Sequence, residues 1–320
     1  MAGSLLALAR YTLKGPYHAA GVVAVLAMLA VFIPPLTGGN LVTVLLATFC
    51  LWLSCTLVSL IILSQGSASG LRAIMGSIAA ITVVAWVLIG SPQLGVVIGL
   101  MQWAPIILLS QALRTSKSLA MTLLAGVGLG VGAIVMQHLL LGPIDNTALT
   151  EALQSMGGVP AAGEAPPELA PAVVETVRLL MLAMVAVGYL FVVLIVICAR
   201  WMQARLFAQE GAFGEEFRAL SLGRAAAAIA LAVLGLTIWL QQPWLVSIVL
   251  VLVMAFMFQG IAVVHAKLGP KRHGRTFLTV FYVLMLISKE ALALAAVTGV
   301  IDNWLVFRKK KEQPNEENED

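Results

Sequence analysis

Long apolar runs, almost free of charge, recur along this chain and decide most of what it can become. They cover residues 17–36, 41–64, 73–90, 94–112, 118–141, 173–198, 225–240 and 244–264, and a final run covers 276–307. A helix rising about 1.5 Å per residue needs roughly 20 apolar residues to cross the hydrocarbon of a bilayer. Spanning β-strands would alternate apolar and polar residues with a period of two, and these runs do not. With 61% hydrophobic and 11% charged residues, a soluble globular fold is excluded. The expected fold is all-α. It is a polytopic transmembrane bundle with eight full spans plus a C-terminal apolar segment that is either a ninth span or a helical hairpin.

The charges then orient the bundle. With the N-terminus in the cytoplasm, the inward segments carry Arg10, Lys14, Arg72, Arg114, Lys117, Arg200, Arg205, Arg218, Arg224, Lys267, Lys271, Arg272 and Arg275. The opposite segments, 37–40, 91–93, 142–172 and 241–243, carry no Lys or Arg. Basic residues accumulate in cytoplasmic loops, so this asymmetry predicts a multi-pass membrane protein with a cytoplasmic N-terminus. The net charge of +4 therefore reflects topology, and no nucleic-acid partner is expected.

The final run resists a simple crossing. As one helix it would be about 48 Å long, and Lys289-Glu290 would sit in its middle, where charge is costly. Arg308-Lys309-Lys310-Lys311 follows and belongs on the cytoplasmic side by the same rule. A turn near Ser288-Lys289-Glu290 would return the cluster there. The regions expected are five spans in 1–141, an extracytoplasmic Pro- and Glu-bearing loop at 142–172, and a second membrane region at 173–311. A cytoplasmic hinge at 199–224 interrupts that second region, and 312–320 is an acidic tail too polar to order itself.

Several residues stand out within these elements. Gly126, Gly128, Gly130 and Gly132 give two small-xxx-small registers, read first as helix packing within the chain and second as an oligomer contact. Gln102 and Pro105 lie on the fourth span. The proline kinks the helix and frees a carbonyl, and broken spans often line cavities, so Gln102, Pro105 and Gln259 are candidate cavity groups. Asp302, Trp304 and Arg308 are candidates for a functional role or for anchoring at the interface. In the hinge, Arg200, Trp201, Gln203, Glu215, Glu216, Phe217 and Arg218 could dock a cytoplasmic partner. Its apolar positions Leu206, Phe207, Phe213, Phe217, Leu220 and Leu222 suit a segment lying against the membrane. Glu175 and Arg178 are one turn apart and read as a local ion pair.

Enzyme motifs are missing. The chain has no phosphate-binding P-loop, no Gly-x-Ser-x-Gly elbow, no His-Glu-x-x-His and no Cys-x-x-Cys. Cys50, Cys55 and Cys198 read as small packing groups. No catalytic residues, metal or cofactor are expected.

Three places resemble the YybS-like family of bacterial membrane proteins, whose function is unknown. They are Trp103-Ala-Pro105 with Leu113-Arg114-Thr115, Ala199-Arg200-Trp201 through Gly211-Ala-Phe213-Gly-Glu215-Glu216-Phe217-Arg218, and Gln259-Gly260 through His265 with Gly299-Val-Ile-Asp302-Asn-Trp304. Lys289-Glu290 departs from the family's apolar or proline-bearing middle of the last segment. That family is in turn distantly similar to the substrate-binding S components of energy-coupling-factor transporters. The resemblance implies a small-molecule site within the bundle, open to the outer face. It also implies that the stripe Ala20, Ala24 and Ala27 meets a membrane partner.

Two functions are therefore expected from the sequence. One is a small-molecule-binding or transport-associated membrane subunit without its own ATPase, working with other membrane or coupling subunits. The alternative is a membrane scaffold that recruits a cytoplasmic partner through 199–224 and the C-terminus. The lipid bilayer is a partner in either case.

Overall fold

The computed structural model describes residues 2–142, 149, 169–209, 211–269 and 271–305. Twelve helices make up the described part, with no strands among the described residues. They are α1 (Ala2–Thr12), α2 (Pro16–Leu36), α3 (Leu41–Gln65), α4 (Ser67–Ile89), α5 (Pro92–Ser116) and α6 (Leu119–Leu141). After 142–168 come α7 (Leu169–Leu206), α8 (Ala212–Arg218), α9 (Arg224–Leu240), α10 (Pro243–Leu268), α11 (Gly274–Ile287) and α12 (Lys289–Ile301). Seven of these, α2 to α7 and α10, are long and apolar enough to cross a membrane. The chain is a multi-pass integral membrane protein. Helix α9 has 17 residues and falls just short of that length.

Local signals start the helices. Proline stands at the first position of α2, α5 and α10, where its missing N–H costs nothing. Asn40 caps α3 by accepting from the Thr43 amide at 3.1 Å, and Ser118 caps α6 through the Met121 amide at 3.3 Å. Helix α5 closes on Lys117 in the left-handed region, at φ 51°.

Two helices are central. The spans α3 and α10 are each 67% buried over their most apolar stretch, and the other spans 33% or less. Helices α1, α2, α4 and α5 gather around α3, and α9, α11 and α12 around α10. Helix α7 packs on both centres, while α6 joins α5 to α10. The stripe on α2 is taken up inside this arrangement: Ala24 and Ala27 are buried, Ser54 Oγ donates to the Val23 carbonyl, and Ser77 Oγ to the Ala20 carbonyl.

The sixth span is longer than its apolar stretch. Helix α7 runs on through Ala199-Arg-Trp-Met-Gln-Ala-Arg205 to Leu206, 38 residues in all. Hydropathy ends at the hydrocarbon boundary, but Ala, Arg, Met and Gln are good helix formers and carry the helix beyond it. Arg200, Trp201 and Gln203 thus stand on a helix, and the non-helical connector begins at Phe207.

The last apolar run breaks where its charges lie. Helices α11 and α12 meet at Ser288 with a bend of 117°. Ser288 caps α12, its hydroxyl accepting from the Ala291 amide at 3.2 Å and donating to Glu290 at 2.7 Å. Lys289 and Glu290 therefore open a helix instead of interrupting one, and a carboxylate suits that end. Helix α12 crosses α10 with the backbones in contact. A methyl group added at Gly260 would fall on the Ala295 carbonyl, and one at Gly299 on the Phe256 carbonyl.

Candidate functional site

The middle of the bundle holds a cavity of about 920 Å³ bounded by α2, α3, α5, α6 and α7, a size within the range of small-molecule sites. Leu51, Trp52 and Cys55 of α3 face Met101, Gln102 and Pro105 of α5, with Gly126 and Gly130 of α6 and Val185, Tyr189 and Val192 of α7 completing the wall. No charged residue lines it among the described residues.

The cavity is closed toward the basic end of the bundle. There the last carbonyls of α3 are tied to neighbouring helices. Arg114 of α5 donates to the Ile62 carbonyl at 2.6 Å, and Gln203 of α7 donates to the Leu63 carbonyl at 3.0 Å. Gln65 holds α1 at the same end through the Leu13 carbonyl at 2.7 Å. Beyond these ties the first half of α3 and the middle of α7 stand apart around the cavity. At its rim Val44, Met101, Met184 and Phe191 are exposed, so the opening faces the bilayer.

Gln102 brings the wall its amide. The amide nitrogen lies 3.8 Å from Cys55 Sγ, and Cys55 Sγ lies 4.0 Å from the Gln102 carbonyl. Gln102 Oε1 is buried with no hydrogen-bond partner among the described residues. Pro105 lies a turn further along and also lines the cavity. Beside Gln102, Trp103 is fully buried, and its indole N–H is likewise without a partner among the described residues.

The glycines of α6 divide by face. Gly126 lies under the Tyr189 ring, 2.8 Å from the position a methyl would take, and Gly130 meets Val251 of α10 and Val185 of α7. Gly128 and Gly132 face open space. One register therefore packs within the chain, and the other is turned outward.

Gln259 is not at the cavity. It is fully buried in α10 and centres a polar cluster that joins three distant parts of the chain. Its Oε1 accepts from the Leu222 amide at 2.9 Å, while its Nε2 donates to Asp302 Oδ2 at 3.0 Å and to Asn303 Oδ1 at 3.3 Å. Asn303 Oδ1 also accepts from the Gly223 amide at 3.0 Å and from Ser221 Oγ at 3.3 Å. Arg224 donates to the Asn303 carbonyl at 3.1 Å. Asp302 is buried and Trp304 half-exposed. Arg308 lies outside the described residues, as do the 312–320 tail and nearly all of the 142–172 loop.

The connector between α7 and α9 is folded onto the bundle. Arg200 pairs with Glu216 at 3.0 Å and donates to Gln203 and Gln209, each at 3.1 Å. Phe213 and Phe217, one turn apart on α8, stack with centroids 6.1 Å apart, and Phe217 meets the His265 ring edge-on at 5.7 Å. His265 Nε2 in turn lies 2.6 Å from the Tyr282 hydroxyl of α11. Leu220 and Leu222 are buried in the core, and Phe207 points outward. Glu215 and Arg218 are exposed. At the opposite end of α7, Glu175 and Arg178 form their ion pair at 3.2 Å.

Sequence reasoning passed over Tyr189 as a cavity wall and Asn303 as a member of the polar cluster. Tyr189 sits in an otherwise apolar span, and its hydroxyl bonds the Leu123 carbonyl at 3.3 Å. That polar group in the span was a signal for it. Asn303 carries no comparable signal beside Asp302. Comparison with protein-family models, with curated proteins and with solved structures returns no match.

Proposed function

We propose that this chain is a membrane subunit that binds a small molecule in the α2–α3–α5–α6–α7 cavity, in association with coupling or transport partners that supply the energy it has no means to supply itself. The observation carrying this reading is the cavity, closed at the basic end and carrying one amide with an unsatisfied oxygen. The resemblance to the YybS-like family, and through it to S components, supports the same reading. In it the role is binding and not catalysis. The basic end faces the cytoplasm of a bacterial inner membrane, so the cavity lies toward the outer half. Helices α11 and α12 form a re-entrant hairpin: α11 starts just past the basic end of α10, and α12 ends against Leu222–Arg224 at the start of α9. The hairpin then begins and ends on the cytoplasmic side.

The scaffold reading is weaker, because Arg200, Gln203 and Glu216 are engaged in holding the connector to its own bundle. It retains the exposed Glu215 as a docking group, whereas Trp201 is half-buried against the core. Purification in mild detergent separates the two. The binding reading expects membrane or nucleotide-hydrolysing subunits to co-purify, together with a small molecule retained in native mass spectrometry. Recovery of soluble partners alone, lost on Glu215→Ala, would favour the scaffold.

A further inference from the structure

Resting on that binding reading, we infer that the cavity ligand is a long-chain lipid with an uncharged, hydroxyl-type head, taken sideways from the bilayer. Three observations converge on this class. The first is the wall. Its polar side chains are Thr48, Trp52, Cys55, Gln102 and Tyr189, with no cation or carboxylate among the described lining. An ionised head would enter this wall without a counter-charge, and burying an unpaired charge costs far more than burying a hydroxyl. The second is the distribution of satisfied groups. Thr48 already donates to the Val44 carbonyl and Tyr189 to the Leu123 carbonyl, whereas Gln102 Oε1 has no partner among the described residues. The terminal torsion of glutamine is soft, so the amide can turn to the cavity. A hydroxyl both donates and accepts and matches either face of the amide. The third is access. The rim residues Val44, Met101, Met184 and Phe191 are exposed on helices that face hydrocarbon, so an apolar chain can slide in without crossing water.

Gly188 makes the idea testable. It lines the cavity, and a Cβ added there meets nothing within 4 Å, so Gly188→Leu adds bulk at the cavity with no clash at the backbone. Leucine also favours the helix over glycine. The purified full chain is exposed to three probes that share one diazirine-bearing chain: a long-chain alcohol, the matching carboxylic acid above its ionisation range, and a phosphatidylcholine. Expected is saturable labelling of α7 peptides containing Met184 to Phe191 by the alcohol, weaker labelling by the other two, and loss of the alcohol signal in Gly188→Leu. Gln102→Leu is expected to weaken the alcohol by about tenfold, the worth of one hydrogen bond, and to leave the phosphatidylcholine signal unchanged. Equal labelling by the acid would overturn the uncharged head. Equal labelling by the phosphatidylcholine would make the cavity a crevice for bulk lipid and overturn the proposal. If Gly188→Leu fails to fold, Ala133→Leu on the facing wall of α6 serves the same purpose. Native mass spectrometry of the same proteins keeps the two readings apart. A water-soluble molecule retained by the parent and lost from Gly188→Leu, with alcohol labelling unchanged, would overturn the lipid class and keep the binding function. If neither a retained molecule nor a label responds to Gly188→Leu, both fail.

Discussion

Single residues carry the closest contacts in this protein, and they differ sharply in what they tolerate. Gly260 and Gly299 stand where α10 and α12 touch backbone to backbone, so Gly260→Ala drives a methyl into the Ala295 carbonyl. Backbone cannot move aside as a flexible side chain does. The expected cost is about 2–3 kcal/mol, at the upper end of overpacking penalties, measured as a fall in unfolding temperature in detergent. Gly128→Ala is the contrast. It faces open space, and it should change stability by no more than about 0.5–1 kcal/mol, in the stabilising direction set by helix propensity. Asn303 is a residue of another kind. Replacing it with Leu strands the Gly223 amide and one donor of Gln259, for about 1–3 kcal/mol. Equal stability of the Asn303→Leu protein would mean that the cluster does not hold the C-terminal arm.

Helix ends and connectors respond on a different footing. Ser288 caps α12 at the break, so Ser288→Ala should cost about 1 kcal/mol. Hydrogen exchange at Ala291 and its neighbours should quicken while α10 stays protected. A uniform change across both helices would show that the break is held from elsewhere. The connector offers a charge test. Arg200 and Glu216 are each about one-fifth exposed, so the pair is worth little in isolation, yet it pins α8 beside the His265–Tyr282 contact. Glu216→Arg should speed proteolysis of 207–223 several-fold, and adding Arg200→Glu should restore protection. These elements also show how far local reading reaches. A break at Ser288 was legible as one of two outcomes, because charge in mid-span is costly. The start of the connector was not, because α7 continues through residues that are polar yet good helix formers.

At the scale of the whole molecule, the orientation is the open expectation. In a background with Cys50, Cys55 and Cys198 replaced, Gly39→Cys should react with an impermeant maleimide in intact cells, and Arg272→Cys only after permeabilisation. The reverse pattern would turn the bundle over and put the cavity in the cytoplasmic half. A reporter fused after Asp320 should be active in the cytoplasm, as a re-entrant α11–α12 pair requires. Activity on the far side would make Gly274–Ile301 a broken span.

The residue order alone determined that this chain lives in a bilayer, which of its ends is basic, and which charges its last apolar run has to accommodate. Those properties are local: each depends on a stretch of composition or on a charge that hydrocarbon will not accept. Tertiary structure decided which side of each helix matters. Most spans here are apolar all round, so no polar face marks the buried side in advance. Gly126 and Gly128 are alike in sequence, yet one lies under Tyr189 and the other faces outward. Gln102 and Gln259 are both amides within apolar spans. One opens on the cavity, and the other is spent on Leu222, Asp302 and Asn303. What separates them is the set of helices that happen to pack alongside, which only the folded bundle specifies.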